Sequence, residues 1–250
     1  MWWAAVLRAR RTRGQLDFKD SAFTRLDLLA LLAGAALLAV LAVPLAAGSK
    51  PRGERIACLN NLRQVGQGFS LWVGEHGNAL PWRLNYTSGG TQGHPLVNNA
   101  WLHFSWISNE LKTASILTCP SDTPRKVTTD FSANPDGLLY GGNRNNCLSY
   151  FLGLDAALDF PQHWLSGDRN LLVSGYTSGC SSGVRLAAAI YVNKSTGTPV
   201  PSNVGWTDSV HGYSGNLLYT DGRVEELSND GFRRSSAWAD DNGSVHLLIP

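Results

Sequence analysis

The chain has 250 residues, a net charge of +2 and a charged fraction of only 16 %. Residues 1–22 hold five basic and two acidic side chains, and the charge of the remaining chain is nearly balanced, with no basic stripe. This distribution gives no support to nucleic-acid binding. The part after residue 47 is long enough for one or two compact units.

The first predicted element is a helix over residues 23–47. Leu28 to Ala47 form a run of 20 residues without a charged side chain. A helix of that length, at about 1.5 Å per residue, could cross the roughly 30 Å hydrocarbon core of a bilayer. The basic residues ahead of it predict a cytoplasmic N-terminus and an exported remainder. We therefore expect a single-pass inner-membrane protein with a cytoplasmic N-terminus and an extracytoplasmic domain, present in a periplasmic or surface filament if it assembles.

An amphipathic helix is predicted to follow within residues 48–80. Apolar side chains recur there at three- and four-residue intervals, which is the period of one helix face. These residues are Ile56, Leu59, Leu62, Val65, Phe69 and Trp72. His76-Gly77-Asn78 predicts the end of the helix, because glycine readily adopts the left-handed conformation of a C-cap. Residues 23 to about 76 could thus form one long helix.

Residues 81–250 are expected to form an α+β domain. Loops rich in Gly and Asn are predicted at 81–99 and 130–146, and a short helix at 101–111. The predicted strands are 116–119, 148–154, 170–174, 184–192 and 245–249. The clearest hairpin joins 216–220 to 223–227 through Asp221-Gly222, a pair that favours a type I′ turn.

Four cysteines, Cys58, Cys119, Cys147 and Cys180, occur without a CxxC pair. In an exported domain an even number of cysteines indicates disulfides, with three connectivities to choose from. We predict a Cys58–Cys119 bond, with Cys58 on the helix and Cys119 at the end of a strand beside it. The remaining pair is then Cys147–Cys180. The alternative is four buried thiols.

The N-terminus resembles a type IV prepilin or type II secretion pseudopilin signal. A basic leader ends at Ala22, and Phe23 begins the apolar segment. Asp27 lies four residues after Phe23, and Pro44 lies twenty-one residues after Phe23. The resemblance implies that a prepilin peptidase cuts between Ala22 and Phe23 and methylates Phe23. It also implies that Asp27 pairs with the N-terminal amine of a neighbouring subunit during assembly.

The signal departs from the usual pattern in three places. Ala22 replaces the usual Gly, Asp27 replaces the usual Glu, and Arg25 interrupts a stretch that is normally apolar. Two alternatives stay open: an uncleaved single-span anchor, and cleavage by signal peptidase after Leu45-Ala46-Ala47.

Three further motifs extend the resemblance over most of the chain. They are Cys58-Leu59-Asn60-Asn61-Leu62, Cys119-Pro120-Ser121-Asp122, and His211 followed after nine residues by Asp221-Gly222. Together with the signal they resemble a group of large pseudopilin-like proteins of planctomycete and verrucomicrobial bacteria. This resemblance implies a pilin-like α+β fold. In it a long N-terminal helix, transmembrane and then amphipathic, packs on a C-terminal antiparallel β-sheet domain.

The sequence gives little indication of an enzyme. It contains no Gly-x-Ser-x-Gly elbow, P-loop or His-Glu-x-x-His motif, so we predict no catalytic residue. No cofactor is expected, with calcium as the alternative, because major pseudopilins of type II secretion hold calcium in a C-terminal loop. The candidate metal ligands are His211, Asp221, Asp208 and Asp122.

The motifs predict a structural subunit that is processed by prepilin peptidase and assembled into a filament of the type II secretion or type IV pilus kind. Its expected partners are the peptidase, other pilin or pseudopilin subunits, the secretion assembly platform and the membrane. The alternative is a membrane-anchored extracytoplasmic protein that binds a glycan or a metal and does not polymerise. The nine tryptophans could serve a glycan surface, although buried packing accounts for most of them equally well.

Overall fold

The structure is a computed structural model that describes residues 24–179, 182–191, 198–238 and 243–250, without the side chains of 39–50, 198 and 199. The chain divides into two compact units, 1–48 and 49–250. The leader, the predicted cleavage site at Ala22 and Phe23, and Cys180 lie outside the described residues.

The predicted transmembrane helix is contradicted. A span needs about 20 apolar residues in one helix, and no helix in the described part of the chain is long and apolar enough to cross a membrane. The predicted fold is therefore wrong in its transmembrane part. The single-pass inner-membrane location with an extracytoplasmic domain is contradicted by the same finding. The structure instead shows a mixture of helices and strands with a large antiparallel sheet.

The helix α1 runs from Arg25 to Glu75. The part of α1 that belongs to the second unit has one face buried in the main core. That face consists of Cys58, Leu62, Val65, Phe69, Trp72 and Val73. The predicted stripe is thus correct from Leu62 onward, whereas Ile56 is 53 % exposed. The helix ends as predicted, because Gly77 and Asn78 both have positive φ and the Asn78 N–H donates to the Val73 carbonyl.

The predicted helix at 101–111 is present as two short helices, α2 (Ala100–Trp106) and α3 (Ser108–Leu111). The predicted strand at 116–119 is wrong. Ser115–Leu117 forms a 3₁₀ turn, and the Asp122 N–H then donates to the Cys119 carbonyl in a second turn. Pro120 supplies no backbone N–H, which favours this turn over a strand ladder.

A seven-stranded antiparallel sheet forms the centre of the second unit, in the order β4-β5-β11-β1-β2-β8-β9. The short pairs β3–β7 and β6–β10 lie outside it. The strands are β1 Tyr150–Gly153, β2 Trp164–Asp168, β3 Leu171–Leu172, β4 Gly175–Thr177, β5 Ala187–Tyr191, β6 Thr198–Pro199, β7 Gly205–Trp206, β8 Ser214–Tyr219, β9 Val224–Ser228, β10 Ser236–Ala237 and β11 Ser244–Leu248. A further helix, α4 (Asn229–Arg234), follows β9.

The sheet is covered on both faces. Successive side chains of a strand point to opposite faces, and they belong to two different cores here. In β1, Tyr150 and Leu152 join the core that contains α1, whereas Phe151 joins a second core with Trp206 and Phe232. The central strands are therefore buried along their whole length.

The predicted hairpin is confirmed, but its turn differs from the predicted type I′. That type requires a positive φ at both central residues, and of Asp221 and Gly222 only Gly222 has one, at 84°. The Gly222 N–H donates to the Tyr219 carbonyl, and the Tyr219 N–H donates to the Arg223 carbonyl. This is the pattern of a three-residue loop closed by a glycine bulge.

Candidate functional site

The motifs after the helix start converge on one place. Cys58 of α1 and Cys119 of the turn after the 3₁₀ segment form a disulfide, with their Cα atoms 4.8 Å apart. This pairing confirms the prediction. The predicted Cys147–Cys180 bond is not found, because Cys147 is a buried free thiol. Its partner Cys180 lies outside the described residues.

His211, from the third motif, lies against this disulfide. Its Nε2 is 3.4 Å from the Cys119 Sγ and 3.4 Å from the Asn216 amide nitrogen. His211 is buried and its Nδ1 has no hydrogen-bond partner among the described residues. Burial lowers the pKa of this imidazole, which favours the neutral ring.

Asp168, at the end of β2, completes the surroundings of His211. Its Oδ2 accepts hydrogen bonds from the Asn216 backbone at 2.6 Å and from its side chain at 3.0 Å, and is 3.4 Å from the His211 Nε2. Its Oδ1 is buried without a partner in the described structure. Burial raises the pKa of Asp168 to about 7. Burial thus pushes both side chains toward their neutral forms.

A buried ion pair adjoins these groups. Both oxygens of Asp122, three residues after Cys119, accept from the Arg169 guanidinium at 2.7 Å. Such a two-pronged contact is the strong geometry for arginine and carboxylate. Arg169 follows Asp168, the last residue of β2, so two adjacent residues contribute to both halves of the group. We call Cys58, Cys119, Asp122, Asp168, Arg169 and His211 the buried cluster.

A second arginine ties α1 to the same region. The Arg55 guanidinium donates to the His211 carbonyl at 2.7 Å and pairs with Glu226 of β9. Ser214 donates to the same carbonyl at 2.7 Å. The loop that carries His211 is therefore held from α1 and from β8.

The structure does not bring the four predicted metal ligands together. Asp122 is engaged by Arg169, Asp208 is exposed, and Asp221 accepts from the Arg223 backbone at 2.9 Å as a turn cap. Among the residues described, the group of three or more ligand side chains close enough to share an ion is Cys58, Cys119 and His211. His211 thus meets two sulfur atoms rather than carboxylates from the predicted set.

At the start of α1, Asp27 has a local role in addition to the assembly role predicted for it. The Thr24 hydroxyl accepts from the Asp27 N–H at 3.2 Å, and the Asp27 carboxylate accepts from the Thr24 N–H at 3.0 Å and from its hydroxyl at 2.7 Å. This is a capping box. The hydrogen bond from the Thr24 hydroxyl lowers the pKa of Asp27. Its predicted pairing with a neighbouring amine stays a prediction.

No sequence pattern pointed to Asp168, Arg169 or Arg55 as site residues. The segment Trp164–Asp168 mixes Ser, Gly and Asp with two apolar residues, a composition typical of a loop. Its one signal is a lone acid beside a lone base between apolar stretches. That pattern does not indicate burial, since charged residues are mostly exposed.

The buried cluster favours some kinds of chemistry over others. Its members are closed off from solvent except for part of Arg169, so it does not form an open cleft for a substrate. The disulfide, the Asp122–Arg169 pair and the Arg55 contacts all connect different elements of the second unit. The arrangement can fix α1 to the sheet, and its sulfur and imidazole groups can undergo redox or metal chemistry. No protein-family model, curated protein or solved structure matches this chain.

Proposed function

We propose that this protein is a pseudopilin-like structural subunit that assembles with copies of itself through the first part of α1. The observation that carries the proposal is the exposure of the leucines in residues 25–38. Each is between 55 % and 75 % exposed. They are Leu26, Leu28, Leu29, Leu31, Leu32, Leu37 and Leu38.

These leucines point to all sides of the helix rather than to one face. At 100° per residue, Leu28, Leu29 and Leu31 already lie in three different directions. A helix that is apolar all round belongs in the interior of a larger structure. A bundle of the same segment from several copies would cover it, and each leucine covered completely would contribute about 2 kcal/mol.

The prepilin-type signal supports the same proposal. Cleavage between Ala22 and Phe23 would create a new N-terminal amine four residues before Asp27. That amine could pair with the Asp27 carboxylate of a neighbouring copy and fix the stagger between subunits. In this proposal the peptidase acts first, and the secretion assembly platform then receives the processed subunit.

The buried cluster favours a structural role over an enzymatic one. A filament subunit needs a domain that keeps its shape, and the cluster cross-links α1 to the turn at Cys119 and indirectly to β2. The absence of catalytic motifs from the sequence agrees with this interpretation.

The first test replaces two leucines of the exposed segment and follows assembly. The double variant Leu29→Ser with Leu32→Ser should abolish high-order assembly, measured by sedimentation and by electron microscopy of filaments. Leu71→Ser is the matched control, because Leu71 is also exposed on α1 but lies in the second unit. The control should assemble as the wild type does. Equal assembly of both variants, or no assembly of the wild-type chain, would overturn the proposal.

The second test determines the N-terminus of the protein isolated from its own cells. Mass spectrometry should show a chain that begins at a methylated Phe23. A chain that still begins at Met1 would remove prepilin processing from the proposal, even if the leucines drive association.

A further inference from the structure

The disulfide and His211 form a group that also has the composition of a metal site. The Sγ atoms of Cys58 and Cys119 and a ring nitrogen of His211 all lie within 4.8 Å of one another. Two cysteine sulfurs and one imidazole are typical ligands of zinc, which takes four ligands in tetrahedral geometry. In the oxidised chain the sulfurs are bonded to each other and are not available as thiolates.

Two features of the group are unexplained by the disulfide alone. A disulfide needs no imidazole beside it, yet the His211 Nε2 is 3.4 Å from the Cys119 Sγ. A buried polar atom without a partner is destabilising. One such atom among the described residues is the Asp168 Oδ1, beside the group. Asp168 is fully buried and reaches to 3.4 Å from the His211 Nε2.

We propose that reduction of the Cys58–Cys119 disulfide converts this group into a zinc site with Cys58, Cys119 and His211 as ligands. The Nε2-to-Sγ distance of 3.4 Å is close to the spacing of two ligands on one tetrahedral zinc ion, since Zn–S is about 2.3 Å and Zn–N about 2.0 Å. A water molecule would take the fourth position, with the Asp168 carboxylate near the ligating nitrogen as an outer partner.

The conversion has two steps, reduction of the disulfide and binding of zinc. A dithiol reductant supplies two electrons and two protons, the S–S bond breaks, two thiols form, and the reductant becomes a disulfide. When zinc binds, each thiol releases its proton to solvent and the two thiolate sulfurs bond to the ion. The same two residues therefore cross-link α1 to the turn at Cys119 in either state, by a covalent bond or through the metal.

This inference is independent of the proposed function, because it concerns the second unit and makes no use of residues 25–38. It predicts a protein that keeps its shape in oxidising and in reducing surroundings, provided that zinc is present in the latter.

The test uses the full chain, reduced with a dithiol without oxygen and then freed of the reductant by gel filtration. Zinc is titrated in competition with a chromophoric chelator, and cobalt(II) serves as the spectroscopic probe. The reduced wild type should bind one zinc ion per chain and give the intense visible bands of tetrahedral cobalt with a thiolate charge-transfer band. The oxidised protein should show neither.

Variants separate a built site from incidental thiol binding. His211→Gln should weaken zinc binding at least tenfold, and Cys119→Ser should abolish the tetrahedral cobalt spectrum. Cys147→Ser is the control, because Cys147 is also buried but lies outside the group. Circular dichroism of each reduced variant identifies any that fail to fold. If a variant does not fold, Asp168→Asn is tested in its place. We expect Asp168→Asn to weaken zinc binding about tenfold.

Two results would overturn the inference. One is a reduced, folded wild type that binds no zinc at stoichiometric concentration. The other is binding that is equally tight in wild type and His211→Gln, which would mean that the thiols bind the ion without the imidazole.

Discussion

At the scale of single residues, His103 gives the clearest pH dependence. It is fully buried in α2, its Nε2 donates to the Val97 carbonyl at 2.9 Å, and its Nδ1 accepts from the Thr91 hydroxyl at 2.8 Å. Both ring nitrogens have a hydrogen-bond partner in the neutral form. Burial lowers the pKa of His103 to about 4, and the charge on nearby His94 acts in the same direction.

We expect His103 to make the fold sensitive to acid. Between its unfolded pKa of about 6.5 and its folded value, the unfolded chain binds a proton that the folded chain excludes. Its contribution is therefore complete above pH 6.5 and is lost as the pH falls toward 4. The free energy of unfolding should drop by about 2 kcal/mol more in wild type than in His103→Gln between pH 7 and pH 5. Denaturant titrations at the two pH values measure this, and parallel profiles would contradict it.

Thr24 and Asp27 allow the cap to be separated from the proposed assembly contact. Thr24→Val removes the acceptor of the Asp27 N–H but leaves the carboxylate. We expect faster amide exchange at the helix start and normal assembly. Asp27→Ala should show both faster exchange and loss of assembly, whereas Asp27→Glu keeps both the cap and the charge. If Asp27→Ala assembles at the wild-type level, the carboxylate serves only as a cap.

At the scale of elements, the contact of β1 with β2 leaves no room for a side chain at Gly153. A Cβ atom there would lie far inside the van der Waals distance of the Trp164 carbonyl oxygen. That oxygen belongs to the backbone, at a register irregularity in the pairing of β2 with β8, and it cannot rotate away.

Gly153→Ala should therefore lower the free energy of unfolding by about 3 kcal/mol. Gly53→Ala is the matched control, because a Cβ at Gly53 on α1 meets nothing within 4 Å. The control should raise stability by roughly 0.5–1 kcal/mol through helix propensity. Chemical unfolding of both variants measures whether each change lowers or raises the free energy of unfolding. An unchanged unfolding midpoint for Gly153→Ala would contradict the tight contact.

The elements that sequence predicted best are those whose signal is local. The stripe from Leu62 to Trp72 and the glycine after it define α1 near its end, and Asp221-Gly222 defines the β8–β9 hairpin. Strand β2 was missed because its last three residues are Ser, Gly and Asp, which are typical of a loop, although the whole strand is buried. The strand at 116–119 was predicted wrongly, since its apolar residues fit a short buried 3₁₀ turn as well as a strand.

The candidate site was predictable in its cysteines and in His211 but not in its surroundings. Cysteines far apart in sequence can be expected to form a disulfide, and Cys58 and Cys119 do form one. Asp168 and Arg169 belong to the buried cluster only because β2 lies in the middle of the sheet. The local sequence does not predict the position of a strand within its sheet. The predicted carboxylate ligands failed for a physical reason: Asp122 is already paired with an arginine, and Asp221 caps its own turn.

At the scale of the whole molecule, the disulfide closes a long loop. Its cysteines are 61 residues apart, and such a loop contributes about 4 kcal/mol in the chain-entropy model. The double variant Cys58→Ala with Cys119→Ala should lose stability of this order in denaturant unfolding, with a chelator present throughout. Reduction should destabilise the wild type equally and leave the variant unaffected. A variant as stable as the oxidised wild type would show that packing alone holds α1 in place.

The position of Cys58 also decides how the domain carries mechanical load. Tension that reaches the second unit through α1 arrives at Cys58 before the rest of the buried face and passes through the sulfur atoms to Cys119. Residues 59–118, with α2 and α3, are then outside the path of the force. An oxidised molecule stretched between its ends should extend by roughly 200 Å less than a reduced one, at about 3.4 Å for each of the 61 residue steps from Cys58 to Cys119. If the proposed filament is placed under shear, the disulfide would limit the extension of each subunit.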